Sequence, residues 1–497
     1  MPFLSRPSLR QVLTWAAVAA LVGVSGAIPA PALAQAQAVR WSAPVGAPQL
    51  GMDLGTILDR SVSSGRWGVI VVSLSRGDTL FNRNADSALL PASTMKVFTS
   101  AIALDFFGPY HQFETVVLSE GVLEEGVLKG DLILRGAGDP SFALSSGQDP
   151  LRLLAQRVAA SGIRQVQGKI IGDGSAFDDR RVPDGWLSRY LHASYAVRVS
   201  ALAYNEGIVQ VTVRRVGARA EVSLRPAISG LPVSNTVTIR EGSRSAAITV
   251  RQDPATGAFR IGGWIGATSP ARGYSYVIEN PELFAAAAFR AALAAEGVRV
   301  TGTVGAREAL PTAERVAGLP SRPLADLIAA MNGTSNNHYA ELIFRNTARG
   351  NGTIGSADTG NAHLRSFLAD KVGTRSPEDV FAADGSGLST LDRVTPRSLV
   401  NVLDYSARAS WASAFTESLP IAGQTETLKG RMRGAPASGN LRAKTGSTAE
   451  VTSLGGYVTA ANGEQLAFAF IYNGRDRTRA RNAIDAMGST LAAFTRF

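Results

Sequence analysis

The chain has 497 residues, and its 50 Lys and Arg against 40 Asp and Glu give a formal net charge of +10 at pH 7. It contains no cysteine, which excludes disulfides, thiolate metal sites and a cysteine nucleophile. A chain of this length is expected to form more than one domain of ordinary size. Its positive charge suits an anionic wall polymer, membrane surface or nucleic acid, although simple solubility is an alternative explanation.

The first 34 residues have the pattern of a secretory signal peptide. Arg6 and Arg10 precede an apolar stretch from Val12 to Ile28, and Ala32-Leu33-Ala34 forms an A-x-A cleavage site. A membrane anchor is the alternative, but glycine and proline interrupt the apolar stretch, which favours cleavage. Removal of residues 1–34 removes two arginines, so the net charge of +10 becomes +8. We therefore expect an exported, periplasmic protein, and export argues against nucleic acid as a partner.

A hairpin and a helix are predicted in residues 35–109. Trp67 to Ser73 has the composition of a buried strand, and a Ser-Arg-Gly-Asp turn leads to a second strand from Thr79 to Asn82. The helix is predicted to begin at Ser93 and to end at Gly108-Pro109, with apolar residues at helical spacing.

Between residues 110 and 317 the pattern changes, and we predict an inserted region. Short strands alternate here with helices such as Leu151 to Ser161, and an inner segment at about residues 195–275 is almost entirely β in character. A helix from Pro281 to Glu296 and a strand from Val298 to Val304 close the region. The prediction is an outer α/β domain that contains an inner β-rich domain.

Helices return in residues 318–497 and are followed by a meander of strands. An Asn-Gly turn marks the hairpin between the last two of these strands. The predicted elements are helices at Leu324–Met331 and Tyr339–Thr347, strands at Leu441–Gly446, Ser453–Thr459 and Gln465–Tyr472, and a final helix at Arg479–Phe494.

Ser93 and Lys96 form an S-x-x-K pair at the start of the predicted helix. Residues three apart share one helix face, so the two side chains can touch. The N–H groups at a helix start can stabilise an oxyanion, and a buried lysine can act as a base. Six of the basic residues are lysines, and only Lys96 follows a serine three residues earlier. The alternative is an ordinary helix start with Ser93 as its N-cap.

An S-x-N pattern occurs twice. Ser335 and Asn337 lie in a loop that leads into a helix, from which polar groups can face a cleft. The second copy, Ser438–Asn440, precedes a strand and is typical of a turn. Taken alone, either copy is explained as well by a polar loop.

A K-T-G pattern occurs once, at Lys444, Thr445 and Gly446 on a predicted strand. The lysine and the threonine hydroxyl suit a terminal carboxylate, and the glycine lets a backbone approach closely. The N–H of the following Ser447 can act as a second oxyanion donor, opposite that of Ser93. An edge-strand lysine is the alternative.

The three patterns occur in the order S-x-x-K, S-x-N and K-T-G in a chain with an export signal, which indicates a nucleophilic serine activated by a lysine. With them the sequence resembles the D-alanyl-D-alanine carboxypeptidases and endopeptidases of the class C low-molecular-mass penicillin-binding proteins. That class has two extra domains between its first two motifs. Asp384 to Ser389 matches its D-G-S-G-L-S segment, and Gly130–Leu132 with Gly136–Pro140 resembles its G-D-L and G-G-G-D-P stretch, with Ala137 as the departure.

The resemblance implies an α/β fold of the α+β type. Its catalytic part is a transpeptidase domain like that of penicillin-binding proteins and β-lactamases, an antiparallel sheet with helices on both faces. Residues 35–109 and 318–497 would assemble this domain, and the large β-rich insertion of two smaller domains would interrupt it. The Asp384–Ser389 loop would border the active site.

The resemblance also implies a mechanism on peptidoglycan stem peptides, either as a carboxypeptidase or as an endopeptidase. The lysine of S-x-x-K would deprotonate Ser93, Ser335 would relay a proton to the leaving amine, and Asn337 would position that lysine and the substrate amide. Lys444 and Thr445 would hold the terminal carboxylate. β-Lactams would be covalent inhibitors, and the reaction would need no cofactor and no metal.

Two alternatives remain. A β-lactamase shares the three motifs, but the chain has no glutamate in the E-x-x-L-N context of the class A enzymes. The second alternative is a non-catalytic penicillin-sensing or wall-binding protein, and the intact Ser93 and Lys96 argue against it. The four histidines are scattered without metal-ligand spacing, and His338 is expected to face solvent on its helix.

Overall fold

A computed structural model describes residues 40–144, 148–349, 353–374 and 376–497. The predicted signal peptide at residues 1–34 lies outside the described residues. Within these ranges, no helix is long and apolar enough to span a membrane. The α-helices are α1 (Ala47–Ser61), α2 (Met95–Phe107), α3 (Pro150–Ala160), α4 (Pro281–Ala295), α5 (Leu324–Thr334), α6 (Asn337–Thr347), α7 (Ala357–Phe367), α8 (Pro396–Arg408), α9 (Ala412–Glu417) and α10 (Arg477–Ala493).

The strands form several separate sheets. In chain order they are β1 (Arg66–Ser73), β2 (Thr79–Arg83), β3 (Glu114–Glu124), β4 (Val127–Arg135), β5 (Gln165–Val166), β6 (Ile170–Asp173), β7 (Ile208–Val216), β8 (Arg219–Arg225), β9 (Val233–Arg240), β10 (Ala246–Gln252), β11 (Phe259–Gly266), β12 (Arg272–Val277), β13 (Arg299–Val300), β14 (Val304–Ala306), β15 (Glu314–Pro320), β16 (Val380–Phe381), β17 (Arg393–Val394), β18 (Arg442–Ser447), β19 (Val451–Thr459) and β20 (Gln465–Asn473).

A five-stranded antiparallel sheet joins the two ends of the described chain, in the order β18-β19-β20-β1-β2. Successive side chains of a strand point to opposite faces. Ala469 and Ile471 of β20 accordingly pack in the core with α2 and α8, whereas Phe468 and Phe470 pack in the core with α1 and α10. Both faces are therefore buried under helices, and the predicted fold class is confirmed.

The inserted region contains a second, seven-stranded sheet. Its main path is β13-β5-β4-β3-β15, and β6 lies between β4 and β14. Helices α3 and α4 contribute to the core on this sheet. The strand β15 ends at Pro320, beyond the expected boundary at residue 317. The division of the chain into domains stays a prediction.

The inner part of this region is built from short antiparallel ladders and one parallel pair. Strands β12-β7-β8 form one three-stranded sheet, and β10-β11-β9 form another, in which β9 and β11 run parallel. Together these six strands span residues 208–277, as the β-rich composition indicates.

The prediction of one strand from Val298 to Val304 is wrong. The segment splits into β13 and β14, which pair with the separate strands β5 and β6. Gly302 lies between them, and a Cβ there would come within 2.1 Å of the carbonyl oxygen of Gly168 in the partner segment. The two backbones approach too closely for side chains, and both ladders break at this point.

Candidate active site

Ser93 lies in a single turn of 3₁₀ helix, Ala92–Thr94, that continues into α2. The α-helix therefore begins at Met95, slightly later than predicted. The carbonyl of Pro91 accepts hydrogen bonds from the hydroxyls of Thr94 and Ser453, each at 2.7 Å. These contacts connect the turn to strand β19, so the nucleophile is held against the five-stranded sheet.

Lys96 is fully buried, and its Nζ has three acceptors. These are the Ser93 Oγ at 3.1 Å, the Asn337 Oδ1 at 2.7 Å and the Ser386 carbonyl oxygen at 2.8 Å. The amide and backbone oxygens can only accept. When Nζ loses one proton, they keep its two remaining N–H groups, and its lone pair points to the Ser93 hydroxyl. This geometry makes Lys96 a base directed at Ser93.

The pKa of Lys96 is lowered to about 8, mainly because burial disfavours its charged form. The nearby carboxyl groups of Asp384, Glu341 and Asp392 oppose this shift. Burial raises the pKa of Glu341 to about 8, and it raises that of Asp392 well above its usual range. A lysine with a pKa near 8 has a neutral fraction large enough for base catalysis near neutral pH.

The S-x-N motif forms the turn between α5 and α6. Ser335 ends α5 in the left-handed conformation, with φ = +61°. Asn336 caps α6, since its Oδ1 accepts a hydrogen bond from the N–H of Tyr339 at 3.2 Å. Asn337 is then the first residue of α6, which begins earlier than the predicted Tyr339. The tight turn brings Ser335 and Asn337 to the same cleft.

The inserted region fixes the orientation of Asn337. Its Nδ2 donates to the backbone carbonyl of Tyr195 at 2.9 Å, so its Oδ1 is left to accept from Lys96. A flipped amide would lose both contacts. Tyr195 therefore acts on Lys96 through Asn337, a role that the sequence did not indicate.

Lys444 is fully buried although it lies on the edge strand β18. Its Nζ donates to the Ser335 Oγ and to the backbone carbonyl oxygen of Thr445, each at 2.9 Å. Burial, with the charge of Lys96 nearby, lowers the pKa of Lys444 well below its usual range. The side chain therefore points into the cleft, and the alternative of an ordinary edge-strand lysine does not apply.

Gly446 lets β18 lie directly against the start of α2. A Cβ at this position would lie 2.1 Å from the Ser453 Oγ and 3.1 Å from the Ser93 nitrogen. The following residue, Ser447, is exposed at the same edge. The glycine of K-T-G thus brings the backbone of β18 next to the nucleophile, as the sequence predicts.

The Asp384–Ser389 loop lies under Lys96. The buried Asp384 carboxylate accepts hydrogen bonds from the backbone N–H groups of Ser386, Gly387 and Ser389, at 2.6–2.9 Å, and from the Trp186 Nε1 at 2.7 Å. This network holds the Ser386 carbonyl against the lysine. The expectation that the loop borders the active site agrees with this position.

The expectation that His338 faces solvent is wrong. The residue is buried, with 4% of its surface exposed, because α6 is enclosed along most of its length. Neither ring nitrogen has a hydrogen-bond partner among the described residues, and burial lowers the pKa of the ring. Within the described ranges, no group of three or more His, Asp or Glu residues is placed to hold a metal ion.

The structure brings the side chains of Ser93, Lys96, Ser335, Asn337 and Lys444 together in one cleft. The sequence model of the D-Ala-D-Ala carboxypeptidase 3 (S13) family matches residues 54–494. The chain belongs to this family. It is a carboxypeptidase-type hydrolase and a penicillin-binding protein by descent.

Relatives of this S13 peptidase cover most of its length. A D-alanyl-D-alanine carboxypeptidase of Actinomadura sp. (strain R39) is 31% identical over 93% of this chain and 87% of its own. The crystal structure of penicillin binding protein 4 (DacB) from Haemophilus influenzae matches with a TM-score of 0.73 and 26% identity, over 88% of this chain and 98% of that chain. The same protein complexed with a β-lactam matches with a TM-score of 0.69, at the same identity and coverage.

Proposed function

We propose that this S13 peptidase cleaves the bond between two D-alanines in peptidoglycan stem peptides, through an acyl-enzyme on Ser93. The observation that carries the proposal is the contact set of Lys96. A buried lysine that keeps two N–H groups on pure acceptors has its lone pair available for one hydroxyl, that of Ser93. Family membership supplies the class of substrate.

In the acylation step the Ser93 Oγ attacks the carbonyl carbon between the two D-alanines, and its proton passes to the Lys96 Nζ. The backbone N–H groups of Ser93 and Ser447 donate to the oxyanion that forms. The closeness of Gly446 to the Ser93 nitrogen supports this assignment, because it brings both donors to the same end of the cleft.

The intermediate then collapses, and the bond between carbon and nitrogen breaks. Ser335 relays to the leaving amine the proton that Lys96 took from Ser93, and the Ser335 Oγ meanwhile accepts a hydrogen bond from Lys444. The negative charge of the bound carboxylate of the leaving residue favours the charged form of Lys444. Two N–H groups of that ammonium are occupied by protein acceptors, which leaves the third for the carboxylate, together with the Thr445 hydroxyl. Water finally hydrolyses the ester and regenerates Ser93.

β-Lactams should acylate Ser93 in the same way, and the β-lactam complex of the Haemophilus influenzae relative supports this extension. The signal-peptide pattern supports export to the periplasm, where peptidoglycan is made. The net positive charge suits peripheral contact with an anionic wall polymer or membrane surface.

The test is to treat monomeric and cross-linked muropeptides, and a labelled penicillin, with the protein and with Ser93→Ala. The wild type should release D-alanine or separate the cross-linked peptides, and should hold the penicillin as a long-lived adduct. Ser93→Ala should do neither while keeping its circular dichroism spectrum. Rapid loss of the adduct would indicate a β-lactamase, and a stable adduct without peptide cleavage would indicate a sensor. Either result would contradict the proposal.

A further inference from the structure

A cavity of about 430 Å³ opens between the inserted region and helix α6, and we call it the Asp139 cavity. Its wall contains the polar side chains of Asp139, Glu206, Arg322 and Tyr339. It lies next to the S-x-N turn, because Glu206 accepts a hydrogen bond from Asn336. A volume of this size with a few convergent polar groups is typical of a small-molecule site.

Asp139 is a buried carboxylate with one unused oxygen. Only 6% of the residue is exposed. Its Oδ1 accepts hydrogen bonds from the N–H of Ser141 at 2.8 Å and from its hydroxyl at 2.6 Å, but its Oδ2 has no partner among the described residues. Protein atoms do not occlude this oxygen, so it is accessible from the cavity. Burial raises the pKa of Asp139 to about 6, and a cation in the cavity would stabilise the charged form.

Glu206 supplies a second free carboxylate oxygen. Its Oε2 accepts from Asn336 at 2.8 Å, whereas its Oε1 has no partner within the described chain. Among the described residues that line the cavity, Arg322 is the one basic side chain. It is exposed, forms no ion pair within the described ranges, and reaches the Tyr339 hydroxyl only at 3.4 Å. The wall therefore carries two negative charges and one positive charge, and none of the three forms an ion pair.

The charges and the apolar part of the wall together define the ligand. A primary ammonium group has three N–H donors and no acceptor, which matches the free oxygens of Asp139 and Glu206. The described residues contain no group of three His, Asp or Glu placed for a metal ion, which favours an organic cation. The guanidinium of Arg322 suits a carboxylate. Leu153 and Leu319 are half-buried in the same wall, where an apolar side chain would be removed from water.

We propose that the Asp139 cavity binds a free α-amino acid with an apolar side chain. The ammonium group contacts Asp139 and Glu206, the carboxylate contacts Arg322, and the side chain lies against Leu153 and Leu319. This inference goes beyond the proposed function, and it does not depend on the reaction at Ser93.

The test measures dissociation constants by NMR titration for leucine, leucinamide and N-acetylleucine, each as both enantiomers. Leucinamide keeps the ammonium group and lacks the carboxylate, whereas N-acetylleucine keeps the carboxylate and lacks the ammonium group. The wild type should bind leucine and leucinamide. It should bind N-acetylleucine at least tenfold more weakly, because a hydrogen bond to a charged group is lost.

Three variants assign the two charged groups of the ligand to the wall. Asp139→Asn should weaken the binding of leucine and of leucinamide at least tenfold. Arg322→Gln should weaken the binding of leucine by roughly two- to fivefold, the range for one exposed ion pair, and should leave that of leucinamide unchanged. Arg164→Gln is the matched control, since Arg164 is an exposed arginine of the inserted region that does not line the cavity.

Lys444→Ala distinguishes this cavity from the catalytic cleft, and leucine binding should persist in that variant. Loss of leucine binding in Lys444→Ala but not in Asp139→Asn would place the ligand in the cleft and overturn the inference. A wild type that binds no leucine, or that binds N-acetylleucine as tightly as leucine, would overturn it too. If Asp139→Asn does not fold, the exposed Arg322 still decides, since equal effects of Arg322→Gln on leucine and leucinamide would contradict the assignment.

Discussion

The Asn336 side chain donates from Nδ2 to the Oε2 of Glu206 at 2.8 Å, across the boundary between the S-x-N turn and the inserted region. Glu206 has a left-handed backbone, with φ = +53°, and the preceding Asn205 has φ = +55°. Such a conformation costs about 1–2 kcal/mol for a residue other than glycine. It directs the carboxylate to the residue that separates Ser335 from Asn337, so the insertion supports the motif from outside.

Glu206→Ala should therefore lower kcat/KM for a D-Ala-D-Ala peptide by about two- to tenfold, the equivalent of one net hydrogen bond. Glu206 is a positioning residue, so Glu206→Gln, which keeps an acceptor, should recover most of the loss. Glu221→Ala is the control, since Glu221 lies in the same region and, among the described residues, forms an ion pair only with the exposed Arg214. Equal activities of the Ala and Gln variants would contradict a role for this hydrogen bond.

The rate of acylation by a penicillin should rise with pH and reach half of its plateau near pH 8. The reason is that Lys96, with a pKa of about 8, must be neutral to accept the proton of Ser93. The acylation rate rises with pH because the neutral fraction of a base grows as the pH rises through its pKa. Lys96→Arg should be almost inactive at every pH, because a guanidinium does not deprotonate. A profile that is flat from pH 6 to 9 would require another base.

Asn337→Asp should move this pH profile to higher pH. The change places a carboxylate next to the Lys96 Nζ, where the amide oxygen now lies at 2.7 Å, and an opposite charge raises the pKa of a lysine. Each rise of the midpoint by one pH unit should slow acylation at pH 7 by about tenfold, because the neutral fraction of the lysine falls by that factor. Asn337→Ala, which removes the acceptor without adding charge, should lower the rate without moving the midpoint upward. An Asp variant with the wild-type midpoint would rule out direct coupling between the two residues.

Lys444→Ala should reduce cleavage of a free-acid D-Ala-D-Ala peptide far more than cleavage of its C-terminal amide. A hydrogen bond to a charged group contributes about 1.5–3 kcal/mol, which corresponds to roughly ten- to more than hundredfold in kcat/KM. The variant also loses the hydrogen bond from Lys444 to Ser335, which affects the cleavage of both substrates. The loss of activity on the amide therefore measures the effect of that hydrogen bond alone. The exposed Lys429 provides the control variant, Lys429→Ala. Equal losses on acid and amide would assign Lys444 only to the proton relay.

Local patterns in the sequence were sufficient to predict the residues of the cleft. The contact between Ser93 and Lys96 follows from their spacing at a helix start, and the role of Gly446 follows from its lack of a side chain. The predominantly apolar segments of β1 and β20, bounded by turn residues, likewise predict strands of the catalytic sheet.

Contacts made by backbone atoms and by distant segments were not predictable in the same way. The Tyr195 carbonyl orients Asn337, but any residue type has a carbonyl, so no sequence signal marks it. The direction of Lys444 depends on the strand's place in the sheet, and the burial of His338 depends on what covers α6. In the same way, the charged residues of the Asp139 cavity come from three separate segments of the chain.

The strand order of the catalytic sheet has a consequence for the order in which the chain folds during synthesis. Within the sheet, strand β20 lies between β19 and β1, so it joins the K-T-G hairpin to the N-terminal strands that precede the nucleophile. A chain emerges from its N-terminus, and residues 465–473 appear almost last. All strands of the seven-stranded sheet in the insertion have been synthesised by residue 320. This sheet can therefore fold before β18 and β19, the strands that contact the Ser93 turn, have been synthesised. Labelling of Ser93 by a penicillin would therefore report that the chain has been synthesised through β20 and that its catalytic sheet has folded.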